Sequence, residues 1–407
     1  MSLRIRDLGY APGVLPTGPS NSILDVPGVH ISQVTVPTTS GSTARKGLTI
    51  ISPRPPKDYY KPCHASSFCF NGNGELTGAR QMNDWGYTNI PIAFTNSLSL
   101  GVVIDGMWDW VMDMQDDMGW GGITRARHYG TPVVGETADW LINSEVRATR
   151  LGRDDVKKCF EGLESRDDSA VVHEGQVGGG AGMTCHMFTD GTGTSSRTIS
   201  SGEDSKDAYT IAALCQSNYG VLSDLVVGGV PIGRLLKKEQ EARGKAANDE
   251  GSADVHGPAE VAGRTKDGSI LILIITDAPL ATHQLNRAAR HATVGLARVG
   301  SYSAGRNFSG DIFIALSTSE HGPEQLENIS FGSAASRPTQ TYQTEVVKNE
   351  CMDAYFCATA GVVEEAIMNS MVVGGGDNGT VAMDGTKIDG FPLERVRDLL
   401  VQYMVKI

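Results

Sequence analysis

Residues 264–276 read RTKDGSILILIIT: a charged, glycine-marked segment runs without a spacer into six apolar residues, Ile270 to Ile275, with one serine at the join. A strand with one face in water alternates apolar and polar side chains, because successive residues point to opposite faces. This run does not alternate, so it reads as a strand buried on both faces and entered abruptly from a polar segment. Ser269 sits where exposed chain meets core, a place where a hydroxyl can be held rigidly and still be reached.

Around that strand the pattern predicts further elements. A helix near 282–298 carries Leu285, Ala288, Ala289, Ala292 and Leu296 on one face. SGDIFIALST gives another strand, and helices are expected at 350–371 and at 392–405, the latter with proline in its first turn. Residues 1–40 hold strand-like pieces broken by turns, and an apolar run lies around Pro91 to Ala93. Helical spacing between residues 135 and 163 makes Trp140, Leu141, Val146, Val156, Phe160 and Leu163 candidate core positions. GQVGGGAGMTCHMFTDGTGTSSRTIS reads as flexible and glycine-dense, and DAYTIAALCQSNYGVLSDLVVGGVPIG as two short strands around a turn. From Gly233 the chain turns charged: its first half suits an exposed helix, and residues 245–267 a surface linker with too little apolar content to order itself. A length of 407 residues allows one large or two medium domains, and there is no internal repeat.

Several function classes drop out. A net charge of −12 without a basic stripe argues against nucleic acid as a partner. Seven scattered cysteines include no C-x-x-C, and nine histidines include no H-E-x-x-H, so neither a zinc or redox motif nor a metal site is expected. No cofactor is called for. VGGGAGM resembles a dinucleotide fingerprint only superficially, since it lacks the strand before it and the helix after it; a turn needing positive φ or close backbone approach is the plainer reading. No G-x-S-x-G elbow is present. The start, MSLRIRDLGY, has no signal-peptide character and no run approaches membrane-spanning length, so a cytoplasmic protein with reduced thiols and no membrane partner is expected.

Ser269 offers a different chemistry. Were the chain to break between Gly268 and Ser269, the serine would carry its hydroxyl beside its own α-amine. Such an amine has a pKa of about 7.7–8.0 and can act as a base near neutrality. Gly268 permits the backbone distortion that lets Ser269 Oγ reach the preceding carbonyl. The bland alternative is a Gly-Ser turn before a buried strand. The second such pair, Gly251-Ser252, has no buried strand behind it to hold a nucleophile still.

The chain resembles the self-processing L-aminopeptidase/D-esterase and β-aminopeptidase family, the DmpA-type peptidases. The resemblance is carried nearly end to end by RDLGYAPGVLPTGPSNSILDVPGVHISQ, NGNGELTG, WGYTNIPIAFTNSLSLG, PVVGET, GQVGGGAGM, GTGTSSR, NYGVLSDLVVGGVPIG, DGSILILIITDAPL, HQLNRAARHATVGLARVG, SGDIFIALST and FPLERVRDLL. The linker before Gly268 and residues 323–350 are the main stretches without a match.

The resemblance implies an α+β fold, the αββα four-layer sandwich similar to N-terminal-nucleophile hydrolases and shared with ornithine acetyltransferases. It implies a single peptidase domain over 1–407, cleaved at Gly268–Ser269 into an α chain, 1–268, and a β chain, 269–407. It further implies a homo-oligomer, a tetramer of αβ units, acting on short peptides, amides or esters with β-, D- or small L-residues at the N-terminus. Ser269 would be the nucleophile, Asn218 an oxyanion donor, and Ser309 with Asp311 a pair serving the α-amine. Glu136 would bind the substrate's amino group. Without the family, Asn218 reads as a turn residue, Ser309 and Asp311 as a strand start, and Glu136 as a helix-start glutamate.

Two residues depart from the family pattern: where E-T-Y-D-G is expected, ETADW stands, so Ala138 replaces an aromatic and Trp140 a small residue. Two rival functions stay open, an acyltransferase on the same scaffold and an unprocessed, dormant binding or scaffold homologue.

Overall fold

The computed structural model describes residues 3–37, 45–122, 128, 130–143, 150–200, 208–249 (backbone only over 244–249), 268–300, 305, 307–320, 341–375 and 379–405. In the first half of the chain the strands are β1 (His30–Pro37), β2 (Arg45–Ser52), β3 (Cys63–Gly72), β4 (Tyr87–Thr88), β5 (Ile92–Asn96), β6 (Val133–Thr137) and β7 (Glu164–Ser165). A short pair, β8 (Thr184–Cys185) and β9 (Phe188–Thr189), precedes β10 (Thr192–Ser200), β11 (Ala208–Asn218), β12 (Ser269–Thr276) and β13 (Gly310–Ser317). The helices are α1 (Ala79–Trp85), α2 (Leu100–Asp117), α3 (Arg153–Glu161), α4 (Ile232–Asp249), α5 (Thr282–Gly300), α6 (Met352–Gly374) and α7 (Leu393–Tyr403).

The two large sheets run β6-β5-β2-β1-β7 and β10-β11-β12-β13-β3-β4. β12 lies in the middle of the second, antiparallel to β11 and parallel to β13. The parallel pair is joined through α5, as a parallel connection requires a crossover. One face of β12, Leu271, Leu273 and Ile275, packs with Leu48, Ile92 and Phe94 of the first sheet. The other face, Ile270, Ile272 and Ile274, packs with Leu285 and Ala289 of α5 and Val363 and Ile367 of α6. On the far side of the first sheet α2 and α3 contribute Val103, Met107, Val156 and Phe160 to the cluster that continues through it. Helices, sheet, sheet and helices form four layers, the expected αββα sandwich. The unbroken apolar run of β12 follows from its place between two of those layers.

The α5 face is buried as its spacing predicts, and β12 begins and ends where its pattern does. Against the expectation that no run approaches membrane-spanning length, α6 is long and apolar enough to cross a membrane, yet 89% of its most apolar window is buried inside the protein. It is a core helix.

Four expectations about local structure are corrected. Residues 208–218 form one continuous strand, followed by a 3-10 turn at Leu222–Asp224 and a Val227–Val230 bridge, not two short strands. Its polar end stays in the sheet because Gln216 Nε2 donates to Thr95 O at 2.8 Å and to Thr137 Oγ1 at 2.6 Å. The glycine-dense stretch is buried rather than flexible. A Cβ on Gly179 would fall 2.1 Å from Gln216 Oε1, and one on Gly193 would fall 1.9 Å from Ala366 O, so the glycines serve close approach. Trp140 is 56% exposed; past β6 it is Asp139 that turns inward. Val156 and Phe160 are core, while Leu141 and Leu163 are partly buried. Residues 245–249 continue α4; the rest of the expected linker, with Gly251, Ser252, Val146 and residues 323–340, lies outside the described residues.

Candidate active site

Ser269 is the first residue of β12. In the intact chain its neighbours are fixed by register: Asn218, the last residue of β11, on one side and Gly310, the first of β13, on the other. Ser269 is 6% exposed, and its Oγ accepts a hydrogen bond from the Gly310 N–H at 3.1 Å. Gly268 is pressed onto the end of β11: a Cβ there would lie 1.9 Å from the Asn218 carbonyl oxygen and 2.5 Å from Tyr219 Cα. No larger residue fits without moving the strand. The glycine before the serine is therefore demanded by packing as well as by its conformational freedom.

Asn218 is buried with its side chain held at both ends. Its Oδ1 accepts from Thr184 N at 3.2 Å, and its Nδ2 donates to the Ala138 carbonyl at 2.5 Å. The position at which this chain departs from the family thus touches the site through its backbone.

On the other side, Ser309 Oγ donates to Asp311 Oδ1 at 2.7 Å, and the Gly305 N–H donates to Asp311 Oδ2 at 2.7 Å. Both side chains are buried. Burial pushes the Asp311 carboxyl above its ordinary range, and the hydrogen bonds from Ser309 and Gly305 offset only part of that.

Glu136 comes from the other sheet, at the end of β6. Its Oε1 accepts from the Glu75 N–H at 3.0 Å and its Oε2 from the Ser97 hydroxyl. Gly74 lies between it and the start of β13, the strand beside Ser269: a Cβ on Gly74 would be 3.6 Å from Glu136 Oε1 and 3.5 Å from Gly310 Cα. The NGNGELTG turn thus threads between the two sheet ends. It links the half-buried carboxylate to the Ser269 side of the fold.

All the residues singled out in the sequence, Ser269, Asn218, Ser309, Asp311 and Glu136, stand at one end of the sandwich. Four come from adjacent positions in one sheet, and Glu136 faces them across Gly74. Sequence reasoning missed Ser97, the Glu75 N–H and the Gly310 N–H. Ser97 lies inside TNSLSLG, a recognisable block, but nothing local marks its hydroxyl as a partner of Glu136. No group of three His, Cys, Asp or Glu side chains able to hold a metal ion occurs among the described residues.

Chemically, the arrangement places a hydroxyl beside its own backbone nitrogen. An amide donor stands on one side, a hydroxyl–carboxylate pair on the other, and a carboxylate a short span away. Comparison with known proteins identifies the family. The model of peptidase family S58 matches residues 21–382. The β-peptidyl aminopeptidase BapA of Sphingosinicella microcystinivorans is 33% identical over 411 residues, covering 98% of this chain and 92% of that protein. The solved Burkholderia sp. β-aminopeptidase superposes with a TM-score of 0.79 at 34% identity, covering 100% of both chains. The L-aminopeptidase D-Ala-esterase/amidase of Ochrobactrum anthropi, described as a variant of the Ntn hydrolase fold, gives a TM-score of 0.77 at 32% identity over 98% of each chain.

Proposed function

The chain belongs to peptidase family S58 and is a serine aminopeptidase of the N-terminal-nucleophile type; we propose that Ser269 is its nucleophile, freed by cleavage of its own Gly268–Ser269 bond. Ser269 Oγ attacks the Gly268 carbonyl carbon, the bond from that carbon to Ser269 N breaks, the Oγ proton passes to that nitrogen, and an ester links the two residues. Water hydrolyses the ester, leaving a Gly268 carboxylate and a free α-amine on Ser269. The observation that carries this reading is the register of Ser269, between Asn218 and the Gly310 N–H with a glycine packed hard behind it.

In the cleaved enzyme the α-amine takes the Oγ proton as the oxygen attacks the substrate carbonyl. The Asn218 amide, oriented by Ala138 O and Thr184 N, donates to the oxyanion. The protonated α-amine then gives its proton to the leaving amine, and water attacks the resulting acyl-enzyme. Ser309 spends its hydrogen on Asp311, so its oxygen is left as an acceptor for the α-ammonium. Glu136, fixed by Ser97 and Glu75, pairs with the substrate's own ammonium.

The substrates we propose are short peptides, amides or esters bearing a β-, D- or small L-residue with a free amine. The names of the relatives, β-peptidyl aminopeptidase and L-aminopeptidase D-Ala-esterase/amidase, support that class. Ala138 in place of an aromatic side chain widens the choice of acyl group. The working unit is the αβ pair of 1–268 and 269–407 in a cytoplasmic homo-tetramer. The exposed Val401, Tyr403 and Val405 give it apolar surface for association. No observation favours the acyltransferase or dormant-scaffold readings.

The test compares β-alanyl, D-alanyl and L-alanyl p-nitroanilides with the propionyl anilide, which lacks the amine. At least one aminoacyl anilide is expected to exceed the propionyl one by about a hundredfold or more in kcat/KM, because a desolvated carboxylate left without its partner is penalised. Equal turnover of both classes would contradict the role of Glu136. Turnover that survives in Ser269→Ala would contradict the nucleophile.

A further inference from the structure

Lys46 lies near the start of β2, and its side chain is 1% exposed. Its ammonium is 2.6 Å from Asp139 Oδ2 and donates to Asn96 Oδ1 at 3.4 Å. Neither partner belongs to the machinery described above, but each is the chain neighbour of a residue that holds it. Asp139 follows Ala138, whose carbonyl receives the Asn218 amide. Asn96 precedes Ser97, whose hydroxyl holds Glu136. β5 and β6 run parallel here with Asn96 opposite Thr137, so both arms leave from one rung of the sheet.

The pair is braced against slack. Asn143 Nδ2 donates to Asp139 Oδ2 at 2.5 Å and to the Arg45 carbonyl at 2.8 Å, while the Arg45 N–H donates to Asn143 Oδ1 at 3.1 Å. Gly182 backs this bridge so closely that a Cβ there would fall 2.5 Å from Asn143 Nδ2. A fully buried ion pair is a poor source of stability, since desolvation takes back much of the attraction, and apolar replacements are often neutral or better. A lysine and an aspartate buried between the two arms are therefore explained better by position than by stability.

We propose that Lys46, with Asp139, is the positioning residue of this site: one buried cation fixes the oxyanion donor through Asp139–Ala138 and the amine-binding carboxylate through Asn96–Ser97. The proposal rests on the roles proposed for Asn218 and Glu136. Lys46 touches no substrate. It sets the spacing between the group that stabilises the transition state and the group that holds the substrate's amine, which must be right together.

Lys46→Met alone would strand a buried carboxylate and threaten the fold, so the test uses Lys46→Met/Asp139→Asn, which removes both charges at nearly constant volume. Rates are taken per Ser269 N-terminus, with thermal melting alongside. The double variant is expected to melt within a few degrees of wild type, to lose about tenfold or more in kcat and to gain about fivefold or more in KM for an aminoacyl anilide. A folded double variant that stays uncut at Gly268–Ser269 supports the proposal equally, since Gly268 packs on Asn218 and the attack on its carbonyl would draw on the same amide donor. Wild-type kcat and KM in the double variant would overturn it. If the double variant does not fold, Asn96→Ala is expected to raise KM about threefold or more, and an unchanged KM overturns the proposal. A wild-type enzyme indifferent to the substrate's amine would instead remove the Glu136 assignment on which it stands; amine preference with an unaltered double variant removes the Lys46 inference alone.

Discussion

At Asp311 burial and hydrogen bonding oppose each other, and burial prevails, so the carboxyl binds its proton more tightly in the fold than in the unfolded chain. The sign for stability follows. This contribution is fully present below the ordinary aspartate range and is lost as pH rises through the raised value, where the buried group must carry charge. Asp311→Asn is therefore expected to melt no lower than wild type at pH 8 and to lose any advantage as pH falls toward about 4, the ordinary aspartate value. The same variant should also lose activity, and wild-type kcat/KM in it would remove the role given to the Ser309–Asp311 pair. Residues with a chemical signature were legible at this scale: a serine behind a glycine at the mouth of an apolar strand states its own case. Lys46 was not, because a charge at the start of RKGLTIIS looks like a solvated strand end. Only the fold shows that Asp139 lies 2.6 Å away.

α6 docks on β10 through one ionic knot. Arg197 Nη2 pairs with Glu365 Oε2, Arg6 Nε reaches Glu365 Oε1 at 2.6 Å, and the Asn21 amide donates to the same oxygen at 2.6 Å. Burial pushes the Glu365 carboxyl up, but the two guanidiniums outweigh it and hold it below its usual range. Small residues let the elements meet: Gly193 takes the Ala366 carbonyl at close range, and Ser195 Oγ donates to Val362 O at 2.7 Å. Arg197→Met is expected to cost about 3–5 kcal/mol, because it breaks a buried pair from one side. Adding Glu365→Gln should recover part of it. Urea melts of the single and double variants check this, and strict additivity would mean the pair is not coupled. β12, an unbroken apolar run, and α5, with its single helical period, were readable to within two residues of their ends. GTGTSSR and GQVGGGAGM were misjudged as flexible because glycine and serine signal both mobility and close approach, and only the partner element decides between them.

Across the whole molecule, the site lies where two sheet ends meet. Ser269, Asn218 and Asp311 come from one sheet and Glu136 from the other, with the NGNGELTG turn between them. The αββα layering was legible through the family resemblance and through the two-faced burial of β12. The coming together of Lys46, Asn96 and Asp139 was not, because it depends on register across three strands. The proposed cleavage at Gly268–Ser269 would leave β12 between β11, on the α-chain side, and β13, on the β-chain side. Each buried apolar side chain of β12 is worth about 1.5–3 kcal/mol, so the two pieces should stay together after the cut. Intact mass and N-terminal sequencing of the purified protein, beside a Ser269→Ala control, test the central claim most directly. The account predicts two co-purifying fragments, one ending at Gly268 and one beginning at Ser269, and a single chain in the control. An active wild-type protein that remains one uncut chain, or one cut at another bond, would contradict it.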